Sequence, residues 1–270
     1  MLAVGGSMSA ATGTKITQEV ATTSTRFVKD ANSGVTLDSN VSIRLNAAQD
    51  YSCSVWCNFT GDASGTSNKD GIILNIGGTN STGGFTLKYN DSANDNQKIN
   101  VIHWHGGLGF PTVKADTTNL VHATWYHIGV TYTRSAKNLK IYINGALSSS
   151  HTINPGGNTS GTWNIGYKAG VGTANYIAAD INTAVVWGNV TLSAEEMRQL
   201  YNNGNNCDAT KIKSNYIKAA FLLDAKSAPG SGAIRDYGPF GAHGTSNSAL
   251  DANSFNRLGV APRVLTRIGV

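Results

Sequence analysis

Between Trp125 and Trp187 apolar and polar positions alternate with a period of two, the pattern of strands that bury one face. In WYHIGVTYT, Tyr126, Ile128, Val130 and Tyr132 fall on one face and His127, Gly129 and Thr131 on the other. LKIYI repeats the alternation through Leu139, Ile141 and Ile143, and Asn144-Gly145 then supplies the two left-handed residues of a tight hairpin turn. In the next apolar run, Ile181, Thr183, Val185 and Trp187 alternate with Asn182, Ala184 and Val186, which predicts that Ile181, Val185 and Trp187 share a face. The period then changes. Ser193-Ala194-Glu195-Glu196 is a capping box with Leu192 as its hydrophobic staple, Met197, Leu200 and Tyr201 form the buried stripe of a short helix, and Gly204 is its stop.

Upstream, Lys15 to Val28 alternates weakly, as an edge strand does, and Val35 to Leu45 reads as two short strands broken at Asp38-Ser39-Asn40. YSCSVWCNF places Tyr51, Cys53, Val55, Cys57 and Phe59 on one face and Trp56, read as a core residue, on the other. Further strands are predicted at Gly71 to Ile76, Phe85 to Tyr89, Ile99 to His105 and Tyr216 to Leu223, separated by polar loops. We divide the chain into an N-terminal arm (1–14), one domain (15–250) and a C-terminal arm (251–270). That last stretch has no acid after Asp251 and mixes Arg257, Arg263 and Arg267 with Leu258, Leu265 and Ile268. It is read either as an arm docking through these six residues on a neighbouring chain or as a final strand of the domain.

Composition adds bounds. A chain of 270 residues with 31 glycines and only 14% charged residues suits many short strands joined by turns. The net charge of +5 is spread without a lysine or arginine cluster interleaved with aromatics, which argues against nucleic acid as a partner. No apolar run approaches a membrane span. MLAVGGSMSAATGT has neither a basic nor an apolar leader region, so export by a signal peptide is not expected. Cys53 and Cys57 lie about 13 Å apart if on one strand, too far to bridge, and the three cysteines are read as free thiols.

The succession of TWYHIGVTYT, LKIYINGAL, TWNIGY, a strand and LSAEEMRQLY, from Trp125 to Gly204, resembles the laminin G-like members of the concanavalin A-like lectin/glucanase superfamily. The resemblance implies an all-β fold, a two-sheet antiparallel jelly-roll sandwich with one short helix and terminal arms. YSCSVWCNF resembles the family strand that lies centrally in one sheet, and IRDYGPFGAHGT resembles the segment that opens many such domains, although here it follows the helix. Asn182 stands where many relatives carry an Asp.

Glycosidase relatives place two or three acids on one strand as E-x-D-x-E, so that a carboxyl pair flanks the scissile bond. Glu19, Glu195 and Glu196 are the only glutamates, and the last two belong to a helix start, so no catalytic residue is assigned and the protein is read as a non-enzyme. His103 and His105 flank Trp104 on one predicted strand and would chelate a transition metal only with a third ligand such as His122 or His127, so no metal is assigned. Calcium serves many relatives, but Asp62, Asp70, Asp91 and Asp95 form no recognised calcium loop and no cofactor is assigned. Lectin-like rims use such loops, which makes Trp104, His103, His105, Asn80, Asp91 and Asp95 the candidate glycan contacts. Two functions are carried forward. The first is a structural protein on the exterior of a virus particle, a capsid decoration or fibre protein of a tailed phage, whose partners are virion proteins, copies of itself and a host-surface glycan. The second is a free carbohydrate-binding lectin or adhesin.

Overall fold

In the computed structural model, residues 17–20, 24–28, 32–37, 49–60, 71–77, 83–90, 97–105, 112–114, 120–153, 162–167, 176–205, 207–223, 233–246 and 264–267 are described. The chain runs through β1 (Thr17–Val20), β2 (Thr25–Phe27), β3 (Val35–Leu37), β4 (Tyr51–Phe59), β5 (Gly71–Ile76) and β6 (Gly83–Asn90). It continues with β7 (Lys98–His105), β8 (Thr112–Lys114), β9 (Trp125–Thr133), β10 (Asn138–Ile143) and β11 (Ala146–Thr152). Then come β12 (Asn164–Ile165), β13 (Ala179–Gly188), the helix α1 (Ala194–Tyr201), β14 (Ile217–Leu222), β15 (Ala233–Ile234), β16 (Gly244–Ser246) and β17 (Val264–Arg267). One sheet has the order β11-β10-β9-β4-β13-β14, with β2 also on β13, and the other has the order β15-β16-β3-β12-β5-β6-β7-β8. All the pairings are antiparallel. This is the two-sheet sandwich that the alternating pattern and the resemblance led us to expect.

The inward faces meet in one large core. Tyr51, Cys53, Val55, Cys57 and Phe59 from β4, Ile128, Val130 and Tyr132 from β9, and Leu139 and Ile141 from β10 pack against Phe85, Leu87, Ile99 and Val101 of the facing sheet. A second, smaller core covers the outer face of the first sheet. Tyr142, Val185 and Trp187 are buried there beneath Leu192, Met197 and Leu200 of the helix segment and Ala209 and Ile217 beyond it. With a core on each side, every residue of β4 and β13 is buried. The polar residues of the outer face therefore become anchors. Ser52 Oγ accepts from Leu192 N at 2.9 Å and donates to Val190 O at 3.1 Å. Trp187 Nε1 donates to Ile212 O at 2.7 Å.

Helix α1 starts as its sequence dictates. Ser193 Oγ accepts from Glu196 N and the Glu196 carboxylate accepts from Ser193 N, a reciprocal capping box. Its end corrects the sequence reading. Asn202, at φ 44°, takes the left-handed cap, and Gly204 falls two residues later at the close of a 3-10 turn. Asparagine tolerates that conformation well enough to stop the helix first.

The phase of β13 is a second correction. Register shifts between Ile181 and Thr183 against β4, so Asn182 is an extra residue, a β-bulge. Ile181 consequently shares the inner core with Ala184 and Val186, while Val185 and Trp187 face outward under the helix. At this bulge β13 changes neighbours, from β2 to β14. Leu223 N donates to Asn182 O at 2.6 Å, and Arg26 on β2 grips the buried Asp180 carboxylate through both Nε and Nη2.

The glycine of TWNIGY has a steric reason. Gly166 sits at φ +82°, and a Cβ there would lie 2.3 Å from Cδ1 of the fully buried Phe27. Gly166→Ala is expected to lower the unfolding free energy by about 2–4 kcal/mol, read as a urea midpoint shift. An unchanged midpoint would mean that Phe27 moves aside at no cost.

β1 and β17 pair with each other in a separate two-stranded ribbon, Leu265 opposite Glu19 and Arg267 opposite Thr17. Part of the tail, read either as an arm or as a final strand, is a strand paired with the same chain's N-terminal segment. Arg257, Leu258, Arg263 and Ile268 lie outside the described residues. So do the strand expected after Asn40 and the arm 1–14. Among the described residues, no helix is long and apolar enough to cross a membrane.

Candidate functional site

Five carboxylates with described side chains hold local structure. Asp180 is bound by Arg26. Glu195 pairs with Arg198 at 2.6 Å, and that neighbour holds its carboxyl below the usual value. Glu196 closes the capping box and meets Lys213 at 3.5 Å. Asp208 accepts from Thr210 N, and Asp50 accepts from Arg134 N. Among these residues no carboxyl pair flanks a cleft, the arrangement glycoside hydrolysis needs.

The histidines do not converge either. His103 is corrected from a rim position to the core. It is 1% exposed and edge-on to Tyr51 and Tyr132, with ring centroids 5.9 and 5.0 Å away. Alternation carried this signal, because Ile99 and Val101 precede His103 in phase on the inner face of β7. His127 lies on the outer face of the other sheet, bonded through Nε2 to Ser54 Oγ at 2.9 Å, and His122 Nε2 is bonded to Tyr89 Oη at 2.9 Å. Among the described residues no three ligating side chains gather. The side chains of Trp104 and His105, and the residues Asn80, Asp91 and Asp95, lie outside the described part.

The thiols are free and Cys53 and Cys57 are buried. Burial pushes the Cys53 thiol up to about 12 and Cys57 well above its ordinary value. Neither is a nucleophile near neutral pH.

What the structure does assemble is a loop within the IRDYGPFGAHGT segment. Ile234 to Gly244 leaves the second sheet at β15, crosses to the edge of the first, and returns as β16. At the crossing, Asp236 bridges to Phe221 and Tyr237 N donates to Ala220 O at 2.8 Å. The Asp236 carboxylate is 4% exposed and accepts three backbone N–H groups, from Ala220 at 2.7 Å and from Gly238 and Ala242 at 2.8 Å each. Gly238 lets the loop lie flat on β14: a Cβ there would meet Asp236 Oδ1 at 2.9 Å and Ala219 Cα at 3.3 Å. Gly241 N closes a turn onto Gly238 O, with Pro239 stiffening its second position.

This clamp holds two aromatic rings in solvent. Tyr237 is 37% exposed and Phe240 is 47% exposed. Arg235 lies over the Tyr237 ring at 5.1 Å and Lys218, on β14, over the Phe240 ring at 5.2 Å. Rings with a face open to water and a fixed backbone beneath them offer a low-entropy stacking surface. The signal was present in DYGPF, two aromatics in a Gly-Pro turn behind an acid, but only the fold shows that the acid points in and the rings point out.

Two antiparallel sheets packed face to face, two central strands buried on both sides and a capped helix after β13 define a lectin-like jelly roll. The chain belongs to the concanavalin A-like lectin/glucanases superfamily, whose laminin G family model matches residues 29–198. Among solved structures it is similar to a candidate carbohydrate-binding protein from Bacteroides ovatus ATCC 8483, at a TM-score of 0.61 and 19% identity over 84% of this chain and 58% of that one. It is also similar to the native heptameric SAP-like pentraxin of Limulus polyphemus, at a TM-score of 0.52 and 12% identity over 67% and 82% of the two chains. The chain spans less than two thirds of the Bacteroides protein's length. No curated protein matches it significantly in sequence. The aromatic loop lies beyond the segment that the family model covers.

Proposed function

We propose that this protein is a non-enzymatic glycan-binding module. The observation that carries the reading is the clamped loop, which presents Tyr237 and Phe240 to solvent on a support fixed by the buried Asp236. Sugar rings stack their C–H faces on the electron-rich faces of aromatic side chains, and rigid loops on a β-scaffold are the usual place for such contacts. The family, and the description of the Bacteroides protein as a candidate carbohydrate binder, support the same ligand class. Trp104, His105, Asn80, Asp91 and Asp95, the contacts expected from the sequence, are the competing proposal.

A glycan array probed with the wild type, Phe240→Ala and Trp104→Ala tests this, with and without calcium. Phe240→Ala is expected to weaken the glycan signals at least about fivefold, one stacking contact being worth about 1 kcal/mol or more. Trp104→Ala is expected to leave them intact, and chelating calcium to change nothing. Loss through Trp104→Ala alone would move the site to the rim, and a blank array for the wild type would end the reading.

A second reading concerns the setting, the exterior of a virus particle, where the module would be a capsid decoration or tailed-phage fibre protein docked on virion proteins or on copies of itself. It is supported by the β1–β17 ribbon, since two strands alone are marginally stable in water and gain from a further partner. Removing Leu258 to Val270 is expected to abolish incorporation into particles and to reduce the mass measured by light scattering to that of a folded monomer. Normal incorporation, or a monomer in both forms, would sink the docking idea.

A further inference from the structure

The aromatic loop has a charge signature that narrows its ligand. The described segments 207–223 and 233–246 carry Lys211, Lys213, Lys218 and Arg235 against two carboxylates, Asp208, which accepts from Thr210 N, and Asp236. The Asp236 carboxylate is turned inward and bound to three N–H groups, so it does not neutralise the surface. Lys213 meets Glu196 at 3.5 Å. Among the described residues Lys218 and Arg235 have no ion-pair partner, and each rests over an exposed ring instead. A solvent-exposed cation–π contact is worth only about 0.5–1 kcal/mol. A carboxylate held by a guanidinium through two parallel hydrogen bonds is bound more strongly than that. Among the described residues the cations thus rest against the rings, from which they can turn to an anion.

We propose that the loop of Arg235 to Phe240, with Lys218 of β14, binds an acidic oligosaccharide. The sugar face lies against Phe240 or Tyr237, and a carboxylate or sulfate on the same or the next residue is held by Arg235 and Lys218. This rests on the glycan-binding reading and adds the charge of the ligand to it. The alternative for rings interleaved with cations is single-stranded nucleic acid. The lectin-like scaffold favours sugar, and the two rings are too few for a tract of stacked bases.

The test uses the full chain and three probes in one titration series at low salt. They are polygalacturonate, the same polymer fully methyl-esterified and therefore neutral, and a dT20 oligonucleotide. Polygalacturonate is expected to bind, to weaken with added salt, and to lose about tenfold in affinity in Arg235→Gln and in Lys218→Gln. Phe240→Ala is expected to reduce it further and Phe240→Tyr to restore it, with the melting temperature unchanged throughout. Polysialate and hyaluronate serve as second acidic backbones, so that a mismatch of sugar type is not mistaken for a failure of charge. Equal binding of the acidic and esterified polymers, or binding of neutral glycans alone, would overturn the acidic ligand while leaving a glycan site in place. No binding to any acidic or neutral glycan would overturn both. Tighter binding of dT20, lost in the same variants, would overturn the proposal in favour of nucleic acid.

Discussion

Asp236→Ala is expected to lower the unfolding free energy by about 3–5 kcal/mol, among the largest effects of any single side chain outside the core. The carboxylate accepts from three backbone N–H groups, and those of Ala220 and Ala242 are buried. Removing it leaves these donors without a partner, and each buried donor left unsatisfied costs about 1–3 kcal/mol. Asp236→Asn separates the contributions. Oδ1 serves Ala220 and Gly238, whereas Oδ2 serves Ala242. An amide oxygen at the Oδ1 position keeps two bonds, while the amide nitrogen faces the Ala242 N–H donor to donor, so the loss should be intermediate. Urea unfolding followed by tryptophan fluorescence reads both variants. A loss under about 1 kcal/mol for the alanine would mean that water replaces the carboxylate and that the loop is not clamped. The alanine variant should also lose the proposed glycan binding before it loses its sheets, because two of the three bonds to Asp236 come from the loop itself, from Gly238 and Ala242.

The second large effect is acid sensitivity through His127. Its imidazole is fully buried on the outer face of β9, with Trp56 at 5.5 Å and Tyr201 of the helix at 6.4 Å between ring centroids. Burial pushes it down from the usual 6.5 to about 3. The folded protein therefore holds this ring neutral, while the unfolded chain takes up a proton below pH 6.5. Unfolding binds the proton, so stability from this group is complete above pH 6.5 and falls as pH drops from 6.5 towards 3. The slope is at most about 1.4 kcal/mol per pH unit and the full loss is on the order of 3–5 kcal/mol. His127→Phe removes the titration and, at pH 7, costs only the hydrogen bond to Ser54. The wild type's advantage should shrink and then reverse between pH 7 and pH 4, since about 3 kcal/mol is lost over that range against about 1 kcal/mol for the hydrogen bond. Parallel curves over that range would show that the ring is not held neutral.

The strands from Trp125 onward, the Asn144-Gly145 turn and the capping box of α1 were legible because each rests on a rule that acts within a few residues. Side-chain alternation sorts Ile128, Val130 and Tyr132 from His127 and Gly129 whatever they pack against. The two-residue turn needs positive φ, and Asn144 and Gly145 have it at 51° and 75°. At β13 a distant neighbour had overruled the local pattern. The bulge at Asn182 turns Ile181 inward because β13 must change partners there. His103 looked like a rim residue for its chemistry, yet its phase on β7 carried it between Tyr51 and Tyr132.

The sequence by itself determined the class of fold: period-2 runs, turn residues and one capped helix leave few solutions other than two antiparallel sheets. It also contains no E-x-D-x-E run, and two of its three glutamates begin a helix. Only the tertiary structure decided that the first sheet is buried on both faces, so that Ser52, Ser54 and His127 are interior groups. It alone turned DYGPF into a surface, by folding Asp236 onto the backbone of β14 and leaving Tyr237 and Phe240 in water. The reason is physical: alternation is set by neighbours in the chain, whereas burial of a polar group depends on donors that arrive from strands far away in sequence.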